Sequence, residues 1–119
     1  MTGKESILVA LSLVSSLSML GCDGGNAKPA DISGHWHGRN TVGHFYVVID
    51  YYLTQNGSDI GGTSKCNGTT HQVTGTYDLA QGVLTLDYGG REAFVFVFPN
   101  DNEMVARTDD HLVEMTRQQ

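Results

Sequence analysis

The 119-residue sequence has few cysteines, few prolines and few basic residues. Lys and Arg number 7 against 13 Asp and Glu, which gives a formal net charge of −6. Nonspecific binding to a nucleic-acid backbone needs clustered basic side chains that release counterions, so this charge balance excludes nucleic acid as an expected partner. The 2 prolines stand against 15 glycines, and together with many Thr, Tyr and Val residues this composition is typical of short strands joined by tight turns.

A hydrophobic run long enough to cross a bilayer is also missing from the sequence. The most apolar stretch, residues 7–20, is interrupted only by serines and follows a short polar start that contains Lys4. A transmembrane helix needs about 20 apolar residues. Residues 1–21 therefore predict a secretory signal peptide rather than a membrane span.

The end of this segment, Met19-Leu20-Gly21-Cys22, resembles the lipobox of bacterial lipoproteins. In that family a small residue precedes a cysteine that is lipidated and becomes the new N-terminus. Gly21 and Cys22 match the pattern, whereas Met19 stands where the family usually has leucine. The resemblance implies acyl chains, palmitate among them, on Cys22 and a protein tethered to the bacterial cell membrane, facing the periplasm or the exterior. An ordinary signal peptide with an incidental cysteine is the alternative.

Asp23 resembles the inner-membrane retention signal of enterobacterial lipoproteins, although the sequence leaves inner and outer membrane open. Residues 22–31 are polar and glycine-rich without periodicity, which predicts a lipidated flexible spacer before a single domain at 32–119. With Cys22 lipidated, Cys66 is the remaining thiol, so no intramolecular disulfide is expected. Its neighbours predict a turn, and we expect an unpartnered surface cysteine.

From residue 32 onward, strand-like runs alternate with turn signals such as Asn56-Gly57 and Asn67-Gly68. No stretch has a helical period, and no spacer is long enough for the crossover that parallel strands need. Strands are predicted at residues 33–39, 44–54, 59–65, 70–77, 83–88, 92–98, 103–108 and 111–117. The expected fold is all-β, an eight-stranded antiparallel up-and-down meander that closes into a small barrel, with an open sandwich as the alternative.

Period-two alternation divides each strand between the interior and the exterior. The predicted interior set is Phe45, Val47, Ile49, Tyr51, Leu53, Ile60, Val73, Tyr77, Leu84, Leu86, Phe94, Phe96, Phe98, Met104, Ala106, Val113 and Met115. Gly62 and Gly75 are expected to make room for these large side chains.

The exterior also carries apolar residues in two strands. Alternation turns Tyr46, Val48 and Tyr52 of the second strand outward, and it does the same for the valines and the alanine of residues 93–97. A contiguous apolar patch of this kind marks a contact surface, for a protein partner or for self-association. The alternative is that neighbouring side chains cover these residues.

The segment Gly34-His35-Trp36 contains the only tryptophan of the chain. Alternation points Trp36 inward and the flanking His35 and His37 outward. The segment resembles the GxW pattern in the first strand of the calycin barrels, the lipocalins and avidins. The resemblance implies that Trp36 closes one end of the barrel and that a basic residue of the last strand, here Arg117, packs across its indole in a cation–π contact of about 0.5–2 kcal/mol.

Residues 53–63 and 73–78 are similar to hairpins of avidin-like barrels and of many small bacterial barrel lipoproteins. Biotin binding is not expected to carry over, because avidin-like pockets are walled by several tryptophans and this chain has one.

Three histidines are candidate metal ligands. His35 and His37 share a strand face and His44 follows in the first hairpin, so their imidazoles are candidates to share a cation. A tight site usually needs further ligands and a second shell. The sequence therefore predicts no metal site, and it keeps His35, His37 and His44 as the candidate ligands of the alternative.

No catalytic signature is present in the sequence: the serines lack a GxSxG or SxxK context, and the paired aspartates sit at expected hairpin tips, where aspartate forms turns. We therefore expect a non-enzymatic binding module of the bacterial envelope, without a cofactor, that uses its exterior or its loops against a protein partner. The alternatives are a lipocalin-like carrier of a small apolar ligand and a histidine-based metal-binding lipoprotein. In the carrier, the interior would be lined by Tyr51, Tyr77, Phe94, Phe96 and Met115, although the bulk of these side chains favours a solid core.

Overall fold

The structure is a computed structural model that describes residues 27–88 and 93–119. The predicted signal peptide at 1–21, the lipidation site Cys22 and the neighbouring Asp23 lie outside the described residues. In the part of the chain that is described, no helix is long and apolar enough to cross a membrane.

The described chain forms eight antiparallel strands in a closed barrel. They are β1 (Gly34–Val42), β2 (Phe45–Asn56), β3 (Asp59–Cys66), β4 (Thr69–Asp78), β5 (Val83–Asp87), β6 (Phe94–Asn100), β7 (Glu103–Arg107) and β8 (Leu112–Arg117). The predicted all-β meander is confirmed, and the strand bounds differ from the expected ones by at most three residues.

Every strand pairs with its neighbour in the chain, and β8 returns to pair with β1. This closing ladder runs from Leu112 opposite Thr41 to Arg117 opposite Trp36. A ladder between the first and last strands leaves no open sheet edge, so the sandwich alternative is wrong. An eight-stranded antiparallel closed barrel is consistent with the expected calycin-like architecture.

The interior follows the predicted alternation along most of its length: Trp36 points inward as expected, and Ile32 joins the buried set. The assignment of Phe45 is wrong, because its side chain is 80% exposed. Phe45 is the first residue of β2 and pairs with Val42 at the turn of the first hairpin, which lies at the rim of the barrel. Alternation gives the side of the sheet, but burial also depends on the height along the barrel.

Two glycines allow the close approach of a neighbouring backbone. A Cβ atom at Gly62 would clash with the carbonyl oxygen of Tyr52, and one at Gly75 would clash with the carbonyl oxygen of Thr85. Gly62 also has a φ of +144°, which side chains rarely tolerate. The room at Gly62 is taken by backbone, whereas at Gly75 the interior side chain of Leu86 also approaches, with its Cδ2 3.0 Å from the position of a Cβ.

The chain before β1 crosses the end of the barrel at which β1 begins. Ala27 forms a bridge with Phe98 of β6, and the hydroxyl of Tyr77 donates a hydrogen bond of 2.6 Å to the carbonyl of Pro29, which is buried. The second half of the predicted flexible spacer is therefore a packed part of the fold.

Candidate functional site

Trp36 closes one end of the barrel. Its indole is fully buried, and its Nε1 donates a hydrogen bond of 2.9 Å to the carbonyl of Ile32. The guanidinium of Arg117 lies over the indole, with 4.5 Å between Cζ and the ring centroid. The same guanidinium donates hydrogen bonds of 2.9, 2.9 and 3.0 Å to the backbone carbonyls of Ser33, Asp31 and Asp101. We call this end the closed end.

The half of the barrel next to the closed end is solid. Phe98 packs edge-on against Trp36 and against Tyr77, with ring centroids 6.0 and 5.7 Å apart. Phe96 and Met115 lie above them and are buried. Large side chains on facing strands therefore fill this half, as the bulk of the predicted interior set suggests.

The opposite half opens into a cavity of about 500 Å³, which we call the cup. Its walls come from the ends of the strands furthest from Trp36 and combine apolar and polar side chains: Asn40, Val47, Ile49, Ser64, Cys66, Asn67, Thr69, His71, Tyr88, Phe94 and His111. Small-molecule sites in proteins commonly have volumes of about 300–1,000 Å³. The cup therefore has the size of a ligand site.

Two buried polar groups belong to the wall of the cup. Asn40 is 9% exposed, and its Oδ1 accepts a hydrogen bond of 3.0 Å from Nδ1 of His111. Ser64 is 5% exposed, and its hydroxyl is hydrogen-bonded to no residue in the described part of the chain. Buried hydroxyls in native proteins almost always have a partner, in the protein, in solvent or in a ligand. Ser64 therefore supplies a polar attachment point in the cup.

Aromatic rings form the floor of the cup. Phe94 packs against Tyr88 and His111 with ring centroids 5.5 Å apart in both pairs, and the hydroxyls of Tyr51 and Tyr88 are hydrogen-bonded to each other. Burial raises the pKa of Tyr51 well above its usual value. Burial also raises the pKa of Tyr88 to about 12, and this effect outweighs that of the hydrogen bond with Tyr51, which lowers the pKa. Both phenols are therefore neutral at physiological pH.

Of the five residues that the sequence offered as ligand-lining, Phe94 lines the cup. Tyr51 lies beneath it and reaches its floor only through the Tyr88 hydroxyl. Tyr77 is at the closed end, and Phe96 and Met115 belong to the solid half. The alternation of residues could not predict how far along the barrel axis each side chain lies, because it repeats identically along every strand.

Cys66 and the histidines of the cup were missed as lining residues. The expected surface cysteine is half-buried, packs against the core and lines the cup. A signal was available in the sequence, since Cys66 precedes the Asn67-Gly68 turn and the last residues of a strand lie at the barrel mouth.

A second group of functional side chains lies on the outer wall. Nε2 of His35 and Nδ1 of His37 lie 2.7 and 2.8 Å from the same oxygen, Oδ1 of Asp50. Partial desolvation raises the pKa of Asp50, but hydrogen bonds from the two imidazoles outweigh it and the pKa lies below its usual value. We call His35, His37 and Asp50 the outer-wall triad.

His44, the third histidine considered from the sequence, does not join this triad. Asp50 is the register partner of His37, whereas His44 is in the turn beyond Val42 and Phe45. Six residues of extended strand separate His44 from Asp50, or about 20 Å. The register of the first hairpin therefore places the carboxylate of Asp50, and not the imidazole of His44, next to His35 and His37.

The two predicted apolar exterior patches lie on different walls. Three strands separate β2 from β6 in either direction around the barrel, so Tyr52 and Val95 are on opposite sides. On β2, His35 stacks on Tyr52 with ring centroids 4.5 Å apart, and the Arg39 guanidinium lies over Tyr46 at 5.4 Å. Neighbouring side chains therefore cover part of the β2 patch.

Comparison with protein-family models, with curated proteins and with solved structures finds no match for this chain.

Proposed function

We propose that this protein is a non-enzymatic binding module that holds one small amphipathic molecule in the cup. The observation that carries the proposal is a cavity of about 500 Å³ whose wall contains the Ser64 hydroxyl, which has no hydrogen-bond partner among residues 27–88 and 93–119. An apolar ligand with one hydrogen-bonding group matches this lining, because Val47, Ile49 and Phe94 take its apolar part and Ser64 takes its polar group.

The polar side of the cup favours a neutral or anionic ligand. His71 and His111 supply imidazoles, and no carboxylate belongs to the described lining. The neutral phenol of Tyr88 adds a hydroxyl at the floor. A cationic ligand would find no counter-charge among these side chains, and burying an unpaired charge is costly.

The protein-partner function expected from the exterior receives less support than the carrier alternative. A contact surface of the expected size depends on a contiguous apolar patch. Tyr52 and Val95 lie on opposite walls, and Tyr46 and Tyr52 are partly covered by Arg39 and His35. We therefore place the ligand in the cup.

We further propose that the protein is a lipoprotein of the bacterial cell membrane, anchored through acyl chains on Cys22. The lipobox resemblance supports the anchor, and the position of Ala27 determines its geometric consequence. Cys22 precedes Ala27 by five residues, which span at most about 18 Å. Because Ala27 pairs with Phe98 at the closed end, the cup of an anchored protein faces away from the bilayer.

The anchor is tested by metabolic labelling with radioactive palmitate in a bacterial host. The label is expected in the wild-type chain and in Cys66→Ser, and it is expected to be lost in Cys22→Ser. Label that persists in Cys22→Ser would refute the anchor without affecting the cup.

The ligand is tested by native mass spectrometry of the full chain purified from membranes in detergent. We expect one small molecule per wild-type chain, with a mass that identifies its chemical class. Ser64→Phe fills the cup and is expected to lose this molecule. Val47→Phe is expected to have the same effect, and it replaces Ser64→Phe in the test if that variant does not fold. Thr74→Phe places the same ring on the exposed face of β4 and is expected to retain it.

Two outcomes contradict the carrier function. One is a wild-type chain that carries no bound molecule. The other is a bound molecule that remains in folded Ser64→Phe and Val47→Phe, since it must then lie elsewhere.

A further inference from the structure

We propose that the outer-wall triad binds a divalent transition-metal ion of the Zn²⁺ type, independently of the ligand in the cup. The three side chains offer two imidazole nitrogens and one carboxylate oxygen that all lie within 4.8 Å of one another. Two imidazoles and a carboxylate form a common set of three protein ligands for zinc, with the fourth position taken by water or substrate.

The distances within the triad suit this ion after a small expansion. Zinc bonds to imidazole nitrogen and carboxylate oxygen are about 2.1 Å long, so tetrahedral ligand atoms lie about 3.4 Å apart. Oδ1 of Asp50 is 2.7 Å from Nε2 of His35 and 2.8 Å from Nδ1 of His37. Both contacts are about 0.6–0.7 Å shorter than the tetrahedral spacing, so the Asp50 oxygen moves away from the two nitrogens when the ion enters between them.

The triad is carried by two paired strands. His35 and His37 are alternate residues of β1 and point to the same outer face, and Asp50 lies directly opposite His37 on β2. The ring of His35 is further oriented by stacking on Tyr52, with an interplanar angle of 16°. Ligands on paired strands hold their positions better than ligands on loops, so little ordering is needed when the ion binds.

The triad is also accessible to an ion from solvent. The side chains of His35, His37 and Asp50 are 37%, 50% and 22% exposed. The triad lies on the outside of the barrel wall. The cup lies inside the barrel, in the half that is further from Trp36. The metal site therefore does not depend on the proposed carrier function.

The site is tested by isothermal titration of Zn²⁺ into the full chain in detergent. We expect one ion per chain with a dissociation constant in the micromolar range. His37→Ala and Asp50→Asn are each expected to weaken binding at least tenfold, whereas His44→Ala, an exposed histidine on the same hairpin outside the triad, leaves it unchanged. Near-ultraviolet circular dichroism of Trp36 checks that each variant is folded.

A second measurement reports the ligand set directly. Co²⁺ in place of Zn²⁺ is expected to give visible absorption bands of a site with nitrogen and oxygen ligands, and Asp50→Asn changes them. Absence of heat with the wild-type chain, or equal binding by His37→Ala, Asp50→Asn and His44→Ala, overturns the proposal. Zn²⁺ binding that persists in Ser64→Phe and Val47→Phe shows that the two sites are separate, and the opposite result overturns their independence.

Discussion

The guanidinium of Arg117, on the last strand, lies 4.5 Å from the ring centroid of Trp36, on the first strand. The two residues are also direct register partners in the ladder that closes the barrel. Because the same guanidinium donates to three backbone carbonyls, it links the indole, the segment before β1 and the turn between β6 and β7. One side chain thus joins the two ends of the described chain.

Replacing Arg117 with methionine is expected to destabilise the barrel. The substitution removes the cation–π contact and leaves three carbonyls without this donor, and we expect a loss of about 2–3 kcal/mol in the free energy of unfolding. Chemical denaturation followed by the fluorescence of Trp36 measures the loss.

Arg107→Met is the matched control for this substitution, because Arg107 is an exposed residue of β7. Its effect should stay within about 0.5 kcal/mol. Equal stability of Arg117→Met and the wild-type chain would contradict the role given to Arg117.

The adjacent glycines of β3 are expected to respond differently to alanine. A Cβ at Gly62 would clash with the carbonyl oxygen of Tyr52 and would sit at a φ of +144°, whereas one at Gly61 would lie 3.7 Å from Oγ1 of Thr54 in ordinary contact. Gly62→Ala should lower the free energy of unfolding by about 2 kcal/mol or more. Gly61→Ala should leave it unchanged or raise it slightly.

Thermal and chemical denaturation of the two glycine variants decide this prediction. A similar effect of both substitutions would show that β2 and β3 do not approach each other as closely at Gly62 as the structure describes.

The free energy of unfolding should fall at alkaline pH because Tyr88, at the floor of the cup, then loses its proton. The pKa of Tyr88 is raised from 10.0 to about 12 in the folded chain, so its neutral form is favoured by folding. This stabilisation is fully present below pH 10.0, the pKa of Tyr88 in the unfolded chain. It is lost as the pH rises through about 12, the pKa in the folded chain, because in this range the unfolded chain binds fewer protons than the folded chain. The loss is on the order of 2 kcal/mol.

Denaturant unfolding of the wild-type chain and of Tyr88→Phe between pH 10 and about 12 provides the measurement. The variant is expected to show a shallower decline in stability with pH, since it lacks the phenol. Identical slopes for the two chains would rule out a buried, neutral Tyr88.

Much of the architecture could be predicted from local patterns. Turn residues such as Asn67 and Gly68 separate the strands, and both adopt the positive φ that a tight hairpin turn requires. Alternation correctly turned Trp36 inward and His35 and His37 outward. The resemblance to calycin barrels further implied the contact between Arg117 and Trp36, which the structure contains.

The candidate sites were predicted less well, because each depends on register. The position of Asp50 between Val48 and Tyr52 puts it on the exterior by alternation, but only the ladder between β1 and β2 shows that it lies opposite His37. Tyr77 and Phe94 share the interior, yet they lie at opposite ends of it. The height of a side chain depends on where each ladder begins and on the stagger between strands, and neither is visible in the period of one strand.

Turn chemistry and the two-residue repeat of an extended chain predict the number of strands and the face to which most side chains point. The residues that close one end were implied by the resemblance to calycin barrels. Only the tertiary structure decided that the barrel is solid at Trp36 and hollow at Ser64, and that a carboxylate meets two imidazoles on its wall. These features arise when eight ladders close together, because closure sets the relative height of residues that are far apart in the chain.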